Sequence, residues 1–112
     1  MIESTLLEYL NDFSTVPWYA MRPKVPPEKY GLIDKTGATG SRKLTTSTIA
    51  FQSYAPTLLE AAEISAELRG LIEDSIVLGE IAHVELSSEY NFTNTVDKQP
   101  RYQAVYEIVH YE

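Results

Sequence analysis

From Ile2 to Phe13 apolar residues return with a helical period. Ile2, Leu6, Tyr9, Leu10 and Phe13 form one stripe, and Glu3, Glu8, Asn11 and Asp12 fall opposite. The spacing predicts an amphipathic helix over residues 2–13, with Glu3 suited to the positive end of its dipole. Residues 16–21 are apolar and aromatic and are bounded by Pro17 and Pro23. They predict a short strand at a sheet edge, where a missing N–H is tolerated. Pro23, Pro26 and Pro27 make the next stretch a loop. Residues 30–36 predict a second strand, and the Gly-rich residues 37–43 a flexible polar connector.

A long strand is predicted over residues 44–55, where Ile49, Phe51 and Ser53 alternate with Ala50, Gln52 and Tyr54. Pro56 stops it. Thr57 and Glu60 have the spacing of a capping box, each side chain able to serve the other's backbone N–H. The helix it opens runs to about residue 74. Its expected inner stripe is Leu58, Ala61, Ala62, Ser65, Leu68 and Ile72, with Glu60, Glu63, Glu67 and Arg69 outside. Gly70 in its interior costs roughly 1 kcal/mol relative to Ala. Residues 81–90 set Ala82, Val84 and Leu86 against His83, Glu85 and Ser87. Residues 102–111 set Val105, Val109 and Tyr111 against Ala104, Tyr106 and Ile108. The polar residues 91–100 join these two strands into a hairpin.

The resulting order is α-β-β-β-α-β-β. It predicts an α+β fold, an antiparallel sheet of about four or five strands with two helices packed on one face. The chain has 112 residues, 44% of them hydrophobic and 22% charged, which suits one globular domain spanning 1–112. Its net charge of −7 argues against sequence-independent binding to nucleic acid or anionic lipid, because the nine basic residues form no stripe. The absence of Cys removes disulfides, thiolate metal sites and cysteine nucleophiles. No secretion signal and no apolar run of spanning length stands in the sequence, so the expected location is the cytoplasm where the chain is made.

Candidate chemistry is sparse. His83, His110, Glu85 and Glu107 fall on strands expected to pair and could gather around a metal. No recognised ligand spacing supports that, and the plainer reading is four polar residues on a solvent-facing sheet surface. Gly37-Ala38-Thr39-Gly40-Ser41 lacks the Gly-Lys-Ser/Thr ending and the following helix of a phosphate loop. No serine sits in a nucleophile elbow. The expectation is therefore no enzyme, no catalytic residue, no cofactor and no metal. The eight tyrosines carry more. Tyr90, Tyr102, Tyr106 and Tyr111 gather on the last hairpin with Phe92 beside them. Apolar groups on both faces of that hairpin suggest one face buried against a partner. With the close basic pair Arg42 and Lys43, these residues are the candidate protein interface.

Several segments resemble a family. They are Asp34-Lys35-Thr36-Gly37, Thr48-Ile49-Ala50-Phe51-Gln52-Ser53-Tyr54-Ala55, Leu59-Glu60-Ala61-Ala62, Ser88-Glu89-Tyr90-Asn91-Phe92-Thr93 and Arg101-Tyr102-Gln103-Ala104-Val105-Tyr106. Together they resemble the tail terminator or tail-completion (head–tail joining) proteins of long-tailed phages of Gram-positive bacteria. The resemblance implies a structural morphogenesis protein that forms a ring, typically a homohexamer, at the head-proximal end of the tail tube. The implied partners are itself, the tail tube protein and the head-completion or connector proteins. The implied location is the host cytoplasm during assembly and then the virion. The rival readings are a head–tail adaptor, another protein-binding module unrelated to virions, and a small-ligand-binding α+β domain.

Overall fold

The computed structural model describes residues 1–40, 43–93 and 98–111. Helix α1 covers Ile2–Phe13, strand β1 Trp18–Tyr19, β2 Tyr30–Gly40 and β3 Leu44–Tyr54. Helix α2 covers Leu58–Asp74 and continues into a 3-10 turn at Ser75–Val77, followed by β4 Ile81–Asn91 and β5 Arg101–Tyr111. The five strands form one sheet in the order β1-β2-β3-β5-β4, with both helices against the same face. This is the predicted α+β architecture and element order.

The period of two in the strands decides which residues those helices cover. Ile49 and Phe51 of β3 and Ala104, Tyr106 and Ile108 of β5 face them and are all buried, together with Ile33 of β2 and Ile81 of β4. Phe51 and Tyr106 meet edge to face at 5.8 Å, and Trp18 meets Phe51 in the same way at 6.2 Å. From the helices come Ile2, Leu6, Tyr9 and Leu10, and Ala61, Ile64, Leu68 and Ile72.

Details depart from the expected pattern. Leu58 is exposed at the first turn of α2, and Ile64 takes the inner position instead. Phe13, expected on the inner stripe of α1, lies past the edge of the core and is 65% exposed. At Gly70 no atom lies within 4 Å of where a Cβ would stand, so packing does not demand the glycine.

Strand β1 holds the sheet edge but pairs with β2 in parallel, against the expectation of an antiparallel sheet throughout. Asn11 fixes it, donating from Nδ2 to Trp18 O at 3.0 Å and accepting from Trp18 N at Oδ1 at 2.9 Å. The proline-rich return over residues 20–29 then brings the chain back to run alongside. Trp18 lies flat on Gly31, where any Cβ would overlap the indole ring. Residues 37–40, expected as a connector, instead extend β2 as far as the pair Gly40 and Thr45, because the Thr-rich start of β3 supplies a full ladder opposite them. A bulge between Lys35 and Gly37 absorbs the register shift.

The loop after α1 is tied to α2 through one carboxylate. Glu67 accepts from Ser14 Oγ at 2.8 Å, from Thr15 N at 2.9 Å and from Thr15 Oγ1 at 2.9 Å. Ser14 Oγ also accepts from Trp18 Nε1 at 3.1 Å. Burial pushes the Glu67 carboxyl up, but the three hydrogen bonds outweigh it and hold the group below its ordinary value of 4.5. The capping box at α2 forms in a modified way. Thr57 Oγ1 accepts from Glu60 N at 3.2 Å and donates to Glu60 Oε1 at 2.8 Å. Glu60 Oε2 pairs with Lys29 at 2.9 Å instead of reaching back to the Thr57 N–H.

Two predictions follow from the core and this tie. The Tyr106 hydroxyl is buried with no hydrogen-bond partner, and burial pushes its pKa up to about 12. Tyr106→Phe removes only an unsatisfied group, so urea unfolding should show no loss, or a gain up to about 1 kcal/mol. Tyr106→Ala should lose about 3–5 kcal/mol. A Phe variant as damaged as the Ala variant would show that the hydroxyl is bonded. For Glu67, a depressed folded pKa means stability that is present above the unfolded value and lost as pH falls through the folded one. The melting-temperature gap between the wild type and Glu67→Gln should therefore narrow between about pH 7 and pH 3. A gap that stays constant would remove the carboxylate from this role.

Candidate interaction surface

With both helices on one side, the other face of the sheet carries no helix. Along β3 it carries Thr48, Ala50, Gln52 and Tyr54, and along β5 Arg101, Gln103, Val105, Glu107, Val109 and Tyr111, of which Ala50, Tyr54 and Gln103 are buried by their neighbours. The bulge between Leu86 and Ser88 brings Tyr90 of β4 to the same face, opposite Gln103. Without that extra residue Tyr90 would share a face with Leu86 and point at the helices, since one residue of slip reverses every side chain beyond it.

One end of this face is an ordered aromatic and amide network. Arg101 Nη1 donates to Tyr54 Oη at 2.9 Å, and Tyr54 Oη donates to Gln52 Oε1 at 2.9 Å. Gln52 Nε2 donates to Gln103 Oε1 at 2.9 Å, and Gln103 Nε2 donates to Tyr90 Oη at 2.7 Å. Tyr54, Gln52 and Gln103 each accept from one neighbour and donate to the next, so the bonds reinforce one another across three strands. Arg101 also donates from Nε to Phe92 O at 2.8 Å, and its guanidinium stacks 4.5 Å from the Phe92 ring centre and 5.5 Å from that of Tyr54. Tyr54 in turn lies parallel to Tyr30 at 4.7 Å, and Tyr19 meets Tyr30, which is fully buried, edge to face at 6.3 Å. Tyr90 and Phe92 meet edge to face at 5.6 Å and remain 40% and 39% exposed.

The expected interface residues thus separate. Tyr90 and Phe92 come together here. Tyr111 is exposed on the same face at the far end of β5. Tyr102 leans on the core, and Tyr106 is a correction: its even position on β5 turns it toward α2, where it is 1% exposed and unable to contact a partner. Lys43 is exposed, and Arg42 lies outside the described residues. Arg101, Tyr54, Gln52 and Gln103 were missed as a site. The strand alternation that pairs Gln52 with Gln103 and Tyr54 with Arg101 was the signal available for them.

The His and Glu residues are divided between environments. His83, Glu85 and Glu107 are exposed, and Glu85 lies directly across from Glu107. His110 departs from the solvent-facing reading: it is buried, with Nε2 2.8 Å from Ser47 Oγ and Nδ1 3.4 Å from Tyr111 O. Among the described residues no group of three or more His, Cys, Asp or Glu is placed to hold a metal. A cleft of about 500 Å³ at the His110 end of the sheet includes Glu3, Lys35, Thr45 and Glu80. Its two carboxylates have partners: Glu3 forms an ion pair with Lys35 at 3.7 Å, beyond hydrogen-bond distance, and Glu80 accepts from Thr5 Oγ1 of α1 at 2.8 Å.

A second apolar surface lies on the helix side. Phe13 of α1 and Val77 of the 3-10 turn are 65% and 80% exposed, and with Tyr9, Leu71 and Leu78 they line a groove of about 510 Å³. Asp74 lines it, and Glu8 and Asp12 line an adjoining hollow that shares Tyr9, Phe13 and Leu78 with it. Neither helix has a basic residue in its last turn, so Asp12 and Asp74 stand where the dipole disfavours an anion. No helix of the described residues is long and apolar enough to cross a membrane. Compared with protein-family models the chain matches none, and compared with curated proteins it matches none.

Proposed function

We propose that this chain is a structural assembly subunit, a phage tail-completion or tail-terminator protein that forms a ring and joins the tail tube to the head connector. The observation that carries the assembly reading is the uncovered sheet face, with its exposed pair Tyr90 and Phe92 set on the network from Arg101 to Gln103. A network ordered before contact loses little conformational freedom on docking, so its aromatic area converts efficiently into affinity. The tail role itself rests on the sequence resemblance, and the topology agrees with the fold that resemblance implies. In the cleft at the His110 end of the sheet Glu3 is paired with Lys35 and Glu80 accepts from Thr5, which favours assembly over small-ligand chemistry.

Light scattering behind size exclusion over a wide concentration range tests this reading. The wild type should reach a mass near six times that of the chain. Tyr90→Arg should lower that mass while circular dichroism shows the fold retained, because Tyr90 is outside the core and its loss removes only the Gln103 hydrogen bond and the Phe92 ring contact. A wild-type chain that stays monomeric alone and on added tail tubes contradicts the proposal.

A further inference from the structure

Resting on that self-assembly reading, we infer that the occupant of the aromatic face is the Asp74-lined groove between α1 and the end of α2 on a second copy of this chain. The contact is head to tail.

Charge complementarity identifies the pair of surfaces. Arg101 is the cation at the centre of the aromatic network, and its contacts among the described residues are with Tyr54 and Phe92, not with a carboxylate. Arg22, Lys24 and Lys98 are exposed in the loops at that end of the molecule, against one exposed acid there among the described residues, Glu28. The groove offers the reverse: exposed Phe13 and Val77 for the rings to cover, and Asp74, which like Asp12 beside the groove has no ion pair among the described residues. Asp74 stands there against the dipole of its own helix, which a cation from outside would relieve.

Position supports the same arrangement. Arg101 pairs with Tyr54, just before α2 begins, and Asp74 ends that 17-residue helix, about 25 Å further along. The groove also lies on the helix side of the sheet and the aromatic network on the other. A copy can therefore be engaged at both surfaces at once, each patch meeting a different patch on its neighbour. Such heterologous contact propagates and closes into a ring when its rotation permits. A two-fold contact of the aromatic face with itself would leave the groove, with exposed Phe13 and Val77, in water.

Paired charge reversal tests the contact. Arg101→Glu and Asp74→Arg should each weaken self-association at least about tenfold and elute as monomer where the wild type assembles. Asp74→Arg should melt no lower than the wild type, since it improves the helix end and removes no contact. An equal mixture of the two variants should recover the wild-type mass, because each mutated surface then meets its complement. If the wild type assembles and Asp74→Arg assembles equally well, the groove is excluded while self-assembly stands. If both variants dissociate and the mixture does not recover, the pairing of these two charges is overturned. A wild type that is monomeric throughout overturns this contact and self-assembly of the isolated chain together.

Discussion

Burial of Phe51 and Tyr106 beneath α2 fixes which way every other side chain of the central strands points. Because strands alternate strictly, placing these rings inward places Gln52 and Tyr54, and Val105 and Glu107, outward. Two helices cover one side of five strands, and no third layer exists among the described elements. The chain meets the consequence of that geometry by making part of the open face aromatic and hydrogen-bonded, instead of uniformly charged. Among the described residues Glu85 and Glu107 lie further along that face, and Asp12 and Asp74 stand at the ends of the two helices. That separation of aromatic–cationic and acidic surfaces is the physical basis for reading the molecule as one part of an assembly.

Much of the fold was legible because helical and strand periods are local. The stripe in residues 2–13, the Thr57 and Glu60 spacing and the alternation in 44–55 all give elements close to those observed. What local pattern could not supply was register. The bulge between Leu86 and Ser88 turns Tyr90 outward, although continued alternation puts it with Leu86. The parallel pairing of β1 depends on Asn11, a residue that reads in sequence as one more polar position on α1. Phe13 continues the apolar stripe but stands beyond the reach of the sheet, so its exposure is a tertiary fact.

The candidate surface was half legible for the same reason. Clustering of aromatics on the last hairpin pointed to Tyr90 and Phe92, but composition could not say which rings point inward, and Tyr106 is among those that do. The partners that order the surface, Gln52 and Tyr54, lie on a different strand some fifty residues away. They enter only once β3 and β5 are aligned. The polar chain they form spans three strands and holds the outer rings in place from beneath, much as Glu67 holds the α1 loop against α2 from a single carboxylate.

The most direct test of an aromatic face buried by assembly is oxidative footprinting of the aromatic side chains, read by mass spectrometry in dilute and in concentrated protein. Tyr90 and Phe92 should be reactive when dilute and protected when concentrated, Phe13 should follow them, and buried Tyr30 and Tyr106 should stay unreactive in both. Equal reactivity of Tyr90 and Phe92 in monomeric and assembled protein would contradict the account, because the open face would then remain in water in the assembly.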